Sequence, residues 1–117
     1  VKVIIAGGRD FNDYDLLCKK VDKILSKQEE IEIVSGGARG ADKLGELYAE
    51  ERGYPVKRFI PDWGGLGKKA GYVRNEDMAI YADAVIVFWN KQSKGSQHMI
   101  QTANLFKLRI RTINYKL

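Results

Sequence analysis

Apolar and polar positions fall in blocks along this chain, and the blocks switch regularly between two periods. Val3-Ile-Ile-Ala6 is an unbroken apolar run opened by Lys2 and stopped by Gly7-Gly8, which predicts a strand over 2–6. Leu17, Val21, Ile24 and Leu25 then recur at i, i+4, i+7 and i+8, the stripe of a helix entered at Asn12 or Asp13. Ile31-Glu-Ile-Val-Ser35 predicts a second strand ending in Gly36-Gly37. Leu44, Leu47 and Tyr48 mark the inward face of a helix over 41–52, with Gly53 as its C-terminal stop. Val56 to Ile60 predicts a third strand, halted by Pro61. A Gly-rich loop, Gly64-Gly-Leu-Gly67, then precedes a helix over 70–81. Ala84-Val-Ile-Val-Phe-Trp89 is the most apolar strand, and a loop rich in Lys, Ser and Gly leads to a helix near 97–106. Leu108 to Asn114 supplies a fifth strand.

Strands separated by helices require a parallel sheet, because parallel neighbours are joined by right-handed helical crossovers. The expected architecture is a three-layer, Rossmann-like α/β domain spanning 1–117 around a mainly parallel five-stranded sheet. The continuously apolar runs at 3–6 and 84–89 suit central strands covered on both faces. Lys57, Arg58, Arg109 and Arg111 place the third and fifth strands at the edges. The order 3-2-1-4-5 satisfies both conditions. It puts the topological switch point between the first and fourth strands.

Composition narrows the class. Apolar residues make up 44% of the 117 positions and charged residues 30%, the balance of a soluble globule with a modest core. A core this small favours a homodimer or larger homo-oligomer. No apolar run reaches the roughly 18–20 residues of a spanning helix, so no membrane role is expected. Nor does the N-terminal run read as a signal peptide. The lone Cys18 shares a helical face with Val21 and Leu25, as buried filler, and has no disulfide partner. Cytoplasmic residence is therefore expected, in the host cytoplasm for a phage-encoded chain. Twenty Lys plus Arg against fifteen Asp plus Glu give +5, which favours an anionic ligand. The excess is scattered rather than clustered among aromatics, which ranks nucleic acid below a small anion.

The strand ends carry the candidate chemistry. Ligands of open α/β sheets lie beyond the carboxyl ends of strands at the switch point. There stand Gly7-Gly-Arg-Asp10, then Ser35-Gly-Gly-Ala-Arg-Gly-Ala-Asp42, then Asp62-Trp63, and the stretch from Trp89 to Ser96. Glycines let backbone amides approach an anion, and a following helix N-terminus adds orphan donors. Neither the dinucleotide fingerprint nor a Walker sequence is present. The candidate contacts are Gly7, Gly8, Arg9 and Asp10 after the first strand, and Ser35, Gly36, Gly37, Ala38, Arg39 and Asp42 after the second. Trp63, Arg74, Asn75, Gly95, Ser96 and His98 complete the set. Arg9, Arg39 and Arg74 offer planar forks to phosphate, and Trp63 a face for a base or a plug for the core edge. Asp42 stands in a helix first turn, where a purely structural role is equally open. Ser96 reads as a helix cap or hydroxyl donor, His98 as a contact or a surface histidine. One histidine and one cysteine leave no metal site, and no cofactor is called for.

Taken in order, Ala6-Gly-Gly-Arg-Asp-Phe11, Ser35 to Asp42, Asp62-Trp63, Gly67-Lys-Lys-Ala-Gly71, Arg74-Asn75 with Met78, and Gly95-Ser96 resemble the YspA-like branch of the SLOG superfamily. That superfamily includes the LOG phosphoribohydrolases and DprA, with members in bacteria and phages. The resemblance implies a Rossmann-like fold and a pocket for a nucleotide-derived ligand of NAD or ADP-ribose type. It also implies self-association. LOG hydrolases carry P-G-G-x-G-T-x-x-E, with the glutamate and an arginine serving catalysis. Here Arg74 matches the arginine and Gly95-Ser96 the Gly-Thr pair, but the glutamate position falls on Met99. A side chain without a transferable proton gives no acid–base help. The leading expectation is thus binding (sensing, carrying or sequestering) rather than catalysis. A LOG-like N-glycosidic or phosphoribosyl hydrolase, in which Arg74 would be catalytic, and a single-stranded nucleic-acid binder remain the alternatives.

Overall fold

The two unbroken apolar runs lie side by side at the centre of the sheet. The structure, a computed structural model, describes residues 1–116. Its elements run β1 (Lys2–Gly7), α1 (Tyr14–Leu25), β2 (Glu32–Ser35), α2 (Ala41–Arg52), β3 (Val56–Arg58), α3 (Trp63–Leu66), α4 (Ala70–Tyr81), β4 (Ala84–Trp89), α5 (Lys94–Leu105) and β5 (Arg109–Asn114). All neighbouring strands pair in parallel, in the order β3-β2-β1-β4-β5. This is the predicted order.

Alternation along each strand divides the core between two faces. Val3, Ile5, Ile33, Ile86 and Phe88 meet Leu17, Val21 and Leu25 of α1 and Tyr48 and Ala49 of α2. Ile4, Ala6, Val34, Val85 and Val87 point the other way, onto Met78 and Ala79 of α4 and Met99 and Ala103 of α5. Both central strands are therefore covered twice, and the four apolar residues of each core run are buried. Each such large side chain contributes about 1.5–3 kcal/mol relative to exposure. Cys18 is half-buried and packs against the α1 side of this core.

Three boundaries differ from the sequence pattern by more than one residue, two of them through a local hydrogen bond. Helix α5 begins at Lys94 instead of near Gln97, because Ser93 is its N-cap and its hydroxyl oxygen accepts from the Ser96 amide. Ser96 is thus inside the first turn and is not the cap. The glycines at 64–67 do not form an open loop. The Asp62 carboxylate accepts from Gly65 N at 2.9 Å and starts the short α3, which runs through a 3-10 turn at Gly67–Lys69 into α4. Strand β3 ends at Arg58, though Phe59 N still donates to Ser35 O at 2.8 Å. Among the described residues no helix is long and apolar enough to cross a membrane.

Candidate functional site

Helix α1 leaves β1 toward one face of the sheet and α5 leaves β4 toward the other, which opens a crevice between the two strand ends. A cavity of about 680 Å³ occupies it. Gly7, Gly8, Arg9 and Asp10 form one wall, Ala38, Arg39 and Asp42 a second, and Arg74 with Asn75 a third. Asn90, Ser93, Gly95 and Ser96 close the side toward α5, over a floor that includes Met78 and Met99. A second cavity of about 460 Å³ is lined by Gly36, Gly37, Ile60, Pro61 and Trp63. It shares Arg9, Ala38, Arg39 and Arg74 with the first. Fourteen of the sixteen predicted contacts line one chamber or the other: Gly36, Gly37 and Trp63 only the second, Ser35 and His98 neither.

Two glycines allow these walls to meet. Gly40 takes φ +81°, and a Cβ there would stand 2.7 Å from the Cα of Arg9. That approach lets Gly8 O accept from Ala41 N at 3.2 Å, fastening the β1 loop to the start of α2. Gly36 makes room for a charged cluster. A Cβ there would lie 2.6 Å from Arg74 Nη1 and 2.9 Å from Asp42 Oδ2. Arg74 Nη1 instead donates to Gly36 O at 2.6 Å, and its Nε to Asn75 Oδ1 at 3.0 Å. The guanidinium is thereby held in one orientation from the helix α4 side.

Asp42 is only 5% exposed. Its Oδ2 accepts from Ala38 N at 3.2 Å. Burial pushes its carboxyl up to about 6, against the opposing pull of the Ala38 amide and the Arg74 and Arg9 charges. Burial likewise lowers the pKa of Arg74, yet a guanidinium stays charged at any working pH. The crevice therefore offers three arginines beside a carboxylate that gains its proton near pH 6. Asp10, on the opposite wall, is clamped by the Tyr115 hydroxyl at Oδ1 and by Asn90 Nδ2 at 3.4 Å.

Several amides expected to face an anion are engaged within the protein. Gly8 N donates to Phe88 O at 3.0 Å, Gly37 N to Ser35 Oγ at 3.1 Å, and Ala38 N to Asp42. Ala41 N is bonded to Gly8 O, and Ser96 N to Ser93 Oγ at 3.3 Å. Arginine side chains, more than these amides, supply the donors. Ser35 is fully buried and donates to Glu46 Oε2 at 2.6 Å, so it braces the loop from beneath. His98 stands behind the wall: its Nδ1 accepts from Asn75 Nδ2 at 3.1 Å, and its ring lies 4.3 Å from that of Tyr72. Because Asn75 Oδ1 accepts from Arg74 Nε, Asn75 Nδ2 must donate to His98 Nδ1, which accepts as part of a neutral ring; burial lowers the His98 pKa in the same sense. Thus His98 holds Asn75, and Asn75 holds Arg74.

Asn90 and Met78 also line the first cavity, beyond the predicted contacts. Asn90 Oδ1 accepts from Gln92 N and Ser93 N, an Asx turn just before the α5 cap. An Asn directly after the most apolar strand and three residues before a Ser was the available signal. Among the described residues no group of three or more His, Cys, Asp or Glu could hold a metal ion.

Five parallel strands in this order, with a cationic crevice at the switch point, define a Rossmann-like fold of the kind found in SLOG proteins. The chain belongs to the YspA, cpYpsA-related SLOG family, whose model matches residues 1–64. It is 32% identical to the Gene 61 protein of Mycobacterium phage D29 over 124 residues, covering 97% of this chain and 95% of that protein. Its backbone is similar to that of DNA processing protein A (DprA) from Streptococcus pneumoniae, with TM-score 0.76 and 22% identity. That likeness covers 99% of this chain, which spans about half (51%) of the DprA chain.

Proposed function

We propose that the crevice binds a phosphate-bearing, nucleotide-derived small molecule of NAD or ADP-ribose type, and that the protein acts by sensing, carrying or sequestering it. Family membership supports a nucleotide-related binding role. The observation that carries the reading is the convergence of Arg9, Arg39 and Arg74 on a cavity large enough for such a ligand. Binding without turnover fits the floor, where Met99 is buried and gives no proton. Of the acidic side chains near α4, Glu76 and Asp77 stand outside the first cavity. We place this activity in the cytoplasm, where such nucleotides are abundant, and in a homodimer or larger assembly.

Calorimetric titration with ADP-ribose tests the reading. Arg74→Ala is expected to weaken binding about 10- to 100-fold, the value of one or two charge-assisted hydrogen bonds. A thermal melt of the variant checks that the fold persists. Unchanged affinity would remove the arginine cluster from the account. Release of free base from ADP-ribose, or of free base and ribose 5-phosphate from a nucleoside monophosphate, by the wild type and lost in Arg74→Ala, would favour the hydrolase instead. The likeness to DprA motivates a nucleic-acid assay in parallel. Oligonucleotide affinity falling steeply with salt, without mononucleotide binding, would replace the small molecule as partner.

A further inference from the structure

The two cavities meet along one cationic strip. Arg9, Arg39 and Arg74 border both, yet the walls beyond them differ in chemistry. Inward lie Asp10, Asn90, Ser93 and Ser96 above the Met78 and Met99 floor, and among the described residues no aromatic lines that chamber. Hydroxyl, amide and carboxylate groups of this kind suit the hydroxyls of a sugar. Asp10 retains lone pairs beyond those used by Tyr115 and Asn90. Outward lie Ile60, Pro61 and Trp63. Ile60 is 67% exposed and Trp63 50%, so two large apolar side chains face solvent beside a charged strip. Exposed apolar surface rimmed by polar groups is the kind of patch that a bound ligand or partner covers, and an indole presents a flat face to a planar group.

We infer that the outer chamber is a base-stacking subsite built on Trp63, so that the ligand is a nucleoside diphosphate extended by a second sugar. In this arrangement the base lies on Trp63, the diphosphate crosses the arginine strip, and the far sugar enters the chamber of Asp10 and Asn90. The inference rests on the proposed function and adds to it a direction of binding and a specificity residue. Three fixed positive charges border the strip, and a diphosphate diester brings two negative ones. The reverse orientation would set the base on the Met78 and Met99 floor, within reach of Asp10, Asn90 and the serines, and leave the exposed Trp63 face bare.

Calorimetry with two probes, ADP-ribose and ribose 5-phosphate, separates the possibilities on wild type, Trp63→Ala and Trp63→Phe. Loss of one base–aromatic stack corresponds to about 5- to 100-fold in affinity. Trp63→Ala is expected to weaken ADP-ribose by that factor and to leave ribose 5-phosphate unchanged. Trp63→Phe, which keeps a ring, is expected to retain most of the ADP-ribose affinity. ADP-ribose binding that survives Trp63→Ala unaltered, or an equal loss for both probes, overturns the base-stacking subsite while leaving the binding function standing. Failure of the wild type to bind either probe would overturn the binding reading and the subsite with it.

Discussion

Gly40→Ala is expected to be strongly destabilising, lowering the melting temperature by more than about 10 °C. Two costs combine. The backbone at Gly40 has φ +81° and ψ −129°, a region open almost only to glycine, and a side chain held there costs about 1–3 kcal/mol. The added methyl also lands 2.7 Å from the Cα of Arg9, and relief requires the β1 loop to move away from α2. Overpacking of that kind costs about 1–3 kcal/mol more. Against a typical total of about 5–15 kcal/mol, the sum removes a large share of stability. The shift also breaks the bond from Ala41 N to Gly8 O, which sets the spacing between Arg9 and Arg39. A melt within about 2 °C of wild type would show that the loop accommodates a Cβ and is not tightly fixed.

Asp42→Asn is expected to act in the opposite direction. In the folded chain this carboxyl titrates near 6, above the ordinary value of 3.8, because it is buried. A raised carboxyl pKa means that the native state binds more protons than the unfolded chain between those values. Its contribution therefore favours folding least at high pH: stability is lost as pH rises from about 4 through 6, by on the order of 2–3 kcal/mol in all. Asparagine keeps an oxygen for the Ala38 amide and carries no charge to desolvate. The variant should melt several degrees above wild type at pH 7.5 and close to it at pH 4. Ligand binding should respond in the same sense. A diphosphate beside Asp42 raises the carboxyl further, so wild-type affinity for ADP-ribose should rise about tenfold between pH 7.5 and 5.5. Asp42→Asn should bind more tightly at pH 7.5 and show a flatter profile. His98 titrates in both proteins, so the difference between the two profiles isolates Asp42. Parallel profiles would mean that Asp42 does not sense the ligand.

Strand placement was legible because burial on two faces leaves a direct mark. Val3 to Ala6 and Val85 to Phe88 have no polar residue, while Arg58, Arg109 and Arg111 interrupt the edges. Once the order is known, the switch point follows, and with it the neighbourhood of Gly7, Arg9, Arg39 and Gly95. What the pattern did not disclose was the destination of each polar group. Asn75 reaches 23 residues along the chain to His98, and Arg74 reaches 38 back to Gly36. Partners so distant leave no periodic signal. For the same reason the glycine-rich turns resembled an amide cradle, although Gly8, Gly37 and Ser96 have their N–H groups committed to Phe88, Ser35 and Ser93. Helix α5 starts early because a serine at 93 caps it, a choice between Ser93 and Ser96 that spacing alone leaves undecided.

Tyr115, just past the last strand, grips Asp10, and the Phe11 ring beside it lies between Phe88 and Tyr115 with centroids 4.7 and 4.8 Å away. An outer strand of a sheet is ordinarily the first part to fray, opening and closing many times before the whole molecule unfolds. Here each such opening would also release the carboxylate at the rim of the crevice. A ligand that engages Asp10 is therefore expected to slow hydrogen exchange across Arg109–Asn114, and whatever holds that strand closed is expected to tighten binding by the same factor.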